Sequence, residues 1–157
     1  MLVAFDELEI LKQAEEIADL VWTIVEKWSE FSRDTVGKQL VRAADSIGAN
    51  IAEMYGRFNY GEKTQFLYYA RGSLFETKYW INRASKRGLT EKEVAEELIK
   101  RLTDQAKKLN NFIASVKQAK KDVTYAKTLK EAAEPYAISH DQPFIDEAAI
   151  HWLESHD

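Results

Sequence analysis

The chain has 157 residues, 45% of them apolar, with two prolines, six glycines, no cysteine and a formal net charge of −4. That length supports one domain with its own core, and the lack of cysteine excludes a disulfide framework, a thiolate metal site and a thiol nucleophile. No apolar run approaches the roughly 20 residues of a membrane span, and the opening MLVAFDELEI lacks a basic flank, so neither a span nor a signal peptide is expected and the cytoplasm is the expected compartment.

Asp6 is placed to cap a first helix, with Glu9 three residues on as its capping-box partner. Ile10, Leu11, Ala14, Ile17, Val21, Ile24, Val25 and Trp28 then recur at steps of three and four and form one apolar stripe. A break is expected over Ser29–Ser32. The second stripe is Val36, Leu40, Ala43, Ala44, Ile47, Ile51 and Met54, stopped by Gly56. Asn59 and Glu62 form the next cap, before Phe66, Leu67, Ala70, Leu74, Thr77, Ile81 and Ala84, and Gly88 ends that helix. Thr90 with Glu93 opens a fourth helix bearing Val94, Leu98, Leu102, Ala106, Leu109, Ile113 and Val116. No segment alternates with period two. Short connections between such helices favour antiparallel neighbours, so the predicted fold is an all-α, antiparallel up-down-up-down four-helix bundle over residues 1–121.

Residues 122–157 form an acidic C-terminal extension. They hold eight acids against Lys127 and Lys130, which leaves 18 acids and 20 bases in residues 1–121. The body is thus about +2 and the tail −6, a split that points to different electrostatic tasks. Asp122–Glu134 either continues the fourth helix or forms a short one before Pro135. Asp141 then caps an amphipathic segment bearing Phe144, Ile145, Ala148, Ala149, Trp152 and Leu153, expected to dock on the bundle or a partner.

Several stretches resemble the four-helix-bundle family encoded in intervening sequences of bacterial 23S ribosomal RNA genes. They are Phe5-Asp6-Glu7-Leu8-Glu9, Gln39-Leu40-Val41-Arg42-Ala43, Ser46-Ile47-Gly48-Ala49-Asn50-Ile51-Ala52-Glu53, Gly56-Arg57, Phe66-Leu67, and Ala70-Arg71-Gly72-Ser73-Leu74 with Glu76. Order and spacing match over residues 5–117. Met54 stands where the family usually has glycine, the Phe58–Gly61 loop is aromatic, and the tail lies past the family's usual end. The resemblance implies a ring, typically a homopentamer. A similar fold is the accessory variability protein of diversity-generating retroelements, where a basic pentamer binds a reverse transcriptase and nucleic acid. Most members of the family have no established activity.

The polar residues inside these stretches admit two readings. Arg42, Ser46, Asn50, Glu53 and Arg57 fall on one ridge beside the Ile47–Ile51 stripe, and Arg71, Ser73 and Glu76 lie on the next helix, where Gly72 and Ser73 permit close approach. The bland reading is a structural ion network that fixes helix register or a subunit contact. The functional one is a phosphate site built on Arg42, Arg57 and Arg71, which the neighbouring glutamates would weaken. A nucleic-acid face, the principal alternative to a scaffold, would draw on Arg83, Lys86, Arg87, Lys100, Arg101, Lys107, Lys108, Lys117, Lys120 and Lys121. Tyr55, Phe58, Tyr60, Tyr68, Tyr69 and Tyr79 are expected at subunit contacts, where tyrosine is enriched.

Catalytic and metal chemistry have little to build on. A di-iron bundle needs Glu-x-x-His on two helices, and residues 1–121 have no histidine. His140, His151 and His156 show no ligand spacing. Glu93, Glu96 and Glu97 resemble the acidic spacing of a magnesium-dependent all-helical nucleotide hydrolase, yet acids are expected in a first helical turn anyway. The sequence therefore predicts a non-enzymatic homo-oligomeric scaffold or adaptor with no metal or cofactor, its further partners RNA or an RNA-associated protein.

Overall fold

The apolar stripes sit on five helical segments that make up four bundle helices. A computed structural model describes residues 5–133. A 3-10 turn (Phe5–Glu7) leads into α1 (Glu9–Val25); α2 (Glu30–Ser32), a π turn (Arg33–Gly37) and α3 (Lys38–Tyr55) follow without a break; then come α4 (Tyr60–Lys86) and α5 (Lys92–Ala133). No strand occurs among the described residues. The fold is the predicted all-α, antiparallel up-down-up-down bundle. The chain divides between Asp122 and Val123. The segment Phe144–Leu153, its Asp141 cap and the three histidines lie outside the described residues.

Cross-helix contacts give the topology. Gln105 Nε2 donates to the Ile10 carbonyl at 2.6 Å, Lys108 Nζ lies 3.1 Å from Glu9 Oε1, and Arg101 Nη1 lies 3.9 Å from Glu16 Oε2, so α1 and α5 run antiparallel. Arg71 reaches Asn110 and Lys78 reaches Thr103, each at 3.3 Å, which sets α4 antiparallel to α5. Phe5 meets Tyr55 edge-on at 5.2 Å, and a Cβ on Gly48 would sit 3.8 Å from Leu11 and Ala14, pairing α1 antiparallel with α3. In cyclic order the helices are α1, α3, α4 and α5. The core is their shared inner face, with Ala14, Val21, Ile47, Ile51, Leu67, Leu74, Ile81, Leu102 and Leu109 all fully buried.

The predicted stripes hold with one exchange. Val94 is exposed and Ala95 is buried in its place. The ends differ more. Glu9 is the first residue of α1 behind Leu8, which makes no side-chain cap, and the Glu9 carboxylate takes Lys108 and Gln13 instead of closing a capping box. The hydrogen bond and charge of Lys108 hold that carboxyl below its ordinary value. At α4, Asn59 Oδ1 accepts from the Gly61 N–H at 2.7 Å, an N-cap as expected. Gly88, at φ +67°, closes α4 with Leu89 N–H bonded to Ala84 O and Gly88 N–H to Ser85 O, the double bond pattern that a left-handed residue permits. Gly56 ends α3 without that geometry, at φ −72°. α5 begins at Lys92, one residue later than a Thr90 cap would place it.

The π turn ends at a glycine held against its neighbours. A Cβ on Gly37 would lie 2.6 Å from Val25 Cγ1 and 3.3 Å from the Ser32 carbonyl, with Trp28 at 3.5 Å. The widened turn thus packs bare backbone against the end of α1. Ser29 caps the segment by accepting from Ser32 N–H.

Candidate functional site

The polar ridge of α3 turns back on its own helix. Ser46 Oγ donates to the Arg42 carbonyl and Asn50 Nδ2 donates to the Ser46 carbonyl, both at 2.7 Å. Glu53 pairs with Arg57, whose guanidinium also lies over the Phe66 ring at 4.9 Å. On α4, the Ser73 carbonyl accepts from the buried Thr77 hydroxyl at 2.8 Å, and Trp80 Nε1 donates to Glu76 Oε1 at 3.4 Å. Arg71 belongs to the other flank of α4, bonded to Asn110 of α5 and stacked over Tyr68 at 4.9 Å. Within one protomer the structure therefore does not join Arg42, Glu53, Arg71 and Glu76. The Glu53 and Arg57 side chains keep 47% and 38% of their exposure, which makes theirs a surface pair.

The basic residues scatter over three surfaces. Arg101 pairs with Glu97 and Glu16, Lys108 with Glu9, and Lys107 with Asp104. Lys117 lies over the Tyr68 ring at 5.2 Å, on the α4 side of α5, where Arg71 covers the same ring. Lys100, Lys121, Lys86 and Arg87 are exposed, Lys120 is exposed, and Arg83 is half-buried in the last turn of α4. The α5 row is thus largely neutralised along its α1 side. Of the acidic trio, Glu96 pairs with Lys92 and Glu97 with Arg101. No three His, Asp or Glu side chains converge as a metal site among the described residues.

Two features were read in part or not at all in the sequence, which named Tyr68 and Tyr79 as expected subunit contacts but not Phe75 between them. The first is the outer face of α4, where Tyr68, Phe75 and Tyr79 follow at helical spacing around Gly72. Phe75 is 58% and Tyr79 56% exposed, and nothing lies within 4 Å of where a Gly72 Cβ would be. Arg83 follows Tyr79 by one more turn and has no ion-pair partner among the described residues. Phe75 was missed because it lies outside the run of tyrosines; its place opposite the Leu74–Ala70 core face was the available signal.

The second is a cleft of about 290 Å³ between α1 and α3. Its floor is small, made by Ala14, Ala18, Gly48, Ala49 and Ala52, and Phe5 stands at one end. At the other, Asp19 of α1 and Asp45 of α3 face one another without a cationic partner among the described residues. Burial, then the Asp19 charge, pushes the Asp45 carboxyl above its ordinary value. Glu15 of α1 also lines the cleft, so three carboxylates border a floor of small side chains, an arrangement chemically suited to take a cation carried on an apolar stem or beside an aromatic ring.

The profile of the family described as 23S rRNA-intervening sequence protein matches residues 6–111. Among solved structures, the fold is similar to a crystal structure at 1.70 Å of a protein with unknown function from the S23 ribosomal protein family of Bacteroides thetaiotaomicron VPI-5482. The TM-score is 0.60 at 23% identity, covering 66% of this chain and 97% of that one. No curated protein matches the chain.

Proposed function

From the premise that the chain belongs to the 23S rRNA-intervening sequence protein family, we propose that it is a non-enzymatic, self-assembling helical scaffold or adaptor in the cytoplasm. The observation that carries this reading is the α4 outer face. A helix whose core side is already filled presents two further aromatic residues, each more than half exposed, around an unobstructed glycine. Contiguous exposed aromatics of this kind mark a surface that another molecule covers. The assembly proposed is a closed homopentameric ring, working with RNA or an RNA-associated protein. Support for the ring is the resemblance in the sequence; support for the RNA link is the family's description. No helix among the described residues is long and apolar enough to cross a membrane.

Light scattering coupled to size exclusion tests this directly. The expected mass is about five times the 18.1 kDa chain. A single-chain mass at every concentration overturns the scaffold reading. A second reading, nucleic-acid contact, draws on Arg71 and Lys117 flanking the Tyr68 ring, a cationic and aromatic combination suited to a phosphate backbone and a stacked base. It requires RNA retention that weakens steeply with salt.

A further inference from the structure

The α4 outer face and the α1/α3 cleft complement one another in shape, spacing and charge. On α4, Phe75, Tyr79 and Arg83 are successive members of one i, i+4 row, spanning about 12 Å at 1.5 Å per residue. On α3, Ala52, then Gly48 and Ala49, then Asp45 span seven residues, or about 10.5 Å. The aromatic members are large and exposed; the facing members are the small floor of the cleft. At the end of the first row stands an arginine without an acid among the described residues. The second row ends at Asp45 beside Asp19, with Glu15 further along the cleft, and neither aspartate has a cationic partner among the described residues.

Resting on the self-assembly reading, we propose that a second copy of this chain lays its Phe75–Tyr79–Arg83 ridge antiparallel along the α1/α3 cleft, seating Phe75 at Ala52, Tyr79 on Gly48 and Ala49, and Arg83 between Asp19 and Asp45. The ridge fills a cleft whose side chains are too short to fill it themselves. The guanidinium offers its forked donors to both carboxylates, which otherwise repel one another across the cleft mouth. Because ridge and cleft are different surfaces, every copy donates one and accepts with the other. Contacts of that kind generate rings when the rotation closes and filaments when it does not. A contact of α4 against α4 would instead leave the Asp19 and Asp45 carboxylates uncovered.

Three sets of variants of the full chain test the assignment by sedimentation equilibrium, with circular dichroism to show that each remains helical. Asp45→Arg and Arg83→Glu should each weaken assembly by at least about tenfold. The double swap Asp45→Arg with Arg83→Glu should recover most of that loss, which a variant that merely misfolds cannot do. Tyr79→Glu spoils the ridge and Ala49→Trp fills the cleft. Neither should assemble alone, and an equimolar mixture should stop at one-to-one dimers, since only one sound ridge and one sound cleft remain. If wild type assembles but the charge variants match it, the ridge-and-cleft contact is overturned while the scaffold reading stands. If Tyr79→Glu abolishes assembly and Ala49→Trp does not, α4 meets something other than the cleft. A wild-type chain that stays monomeric, including one whose ridge is covered by a different protein, overturns both.

Discussion

Gln105 lies on the core face of α5 between Leu102 and Leu109, fully buried. Its Nε2 donates to the Ile10 carbonyl at 2.6 Å, while its Oε1 has no partner among the described residues. Replacing it by methionine, of similar length, removes one hydrogen bond worth about 1 kcal/mol net. The same change removes an unsatisfied buried acceptor, a penalty of about 1–3 kcal/mol. The Ile10 carbonyl loses little, because it stays within the α1 backbone ladder. Gln105→Met is therefore expected to be neutral or to stabilise the bundle, by about 0–2 kcal/mol. Gln105→Ala removes the bond and also leaves a cavity, and should cost about 2–4 kcal/mol. Urea unfolding at fixed protomer concentration reads both, as shifts in midpoint at unchanged slope. A methionine variant less stable than wild type by more than about 1 kcal/mol would refute the reasoning, since Oε1 would then have to be satisfied in the native protein.

The remaining expectations concern glycines, a carboxylate and an exposed ion pair. Gly37→Ala should destabilise by about 1–3 kcal/mol, because its Cβ meets Val25 and the Ser32 carbonyl. Gly48→Ala, whose Cβ finds ordinary contacts at 3.8 Å, should instead add about 0.5–1 kcal/mol of helix propensity; paired thermal melts distinguish the two. Asp45 has a raised folded pKa, so its native form holds its proton more tightly than the unfolded chain, and wild type loses stability as pH climbs from the ordinary value of 3.8 through the raised one. In dilute single-chain conditions Asp45→Asn should melt higher than wild type at neutral pH, with the difference fading in acid; a constant difference across pH would contradict this. Glu53→Ala should cost the isolated protomer only about 0.3–0.5 kcal/mol in a melt, because the Arg57 pair is exposed.

Much of the architecture was legible because burial in a bundle is written as spacing. The steps of three and four through Leu40, Ala44, Ile47, Ile51 and Met54 leave one face for the core, and all of these are buried. Asn59 and Gly88 announce helix ends through local chemistry that depends on few neighbours. The π turn had no such signature. It ends where Gly37 lies against Val25 and Trp28, a tertiary contact that spacing does not announce. Glu9 was misassigned for a related reason, since Lys108 reaches it from 99 residues away. Gln105 reads as polar in isolation and is buried because its amide finds the Ile10 carbonyl. The polar ridge shows the limit for sites. Spacing placed Ser46, Asn50 and Glu53 together on α3, but it did not reveal that Arg71 is directed to Asn110 on the opposite flank of α4. The cleft was hidden because it is made of alanines and glycine, which read in a sequence as ordinary helix.

The seam between α1 and α5 has a kinetic meaning. α3 and α4 are joined by only the four residues between Tyr55 and Tyr60, and α4 and α5 by the five between Lys86 and Lys92, so their pairing closes small loops. The bond from Gln105 to Ile10 spans 95 residues, and its closure must wait until the helices between them are in place. Hairpin formation by α3, α4 and α5 is thus expected to precede docking of α1 on α5. Substitutions along Ile10, Gln105 and Lys108 should then act on the rate at which the folded chain opens and leave its folding rate nearly unchanged. The lifetime of the native bundle is thus expected to be set where its first helix meets its last.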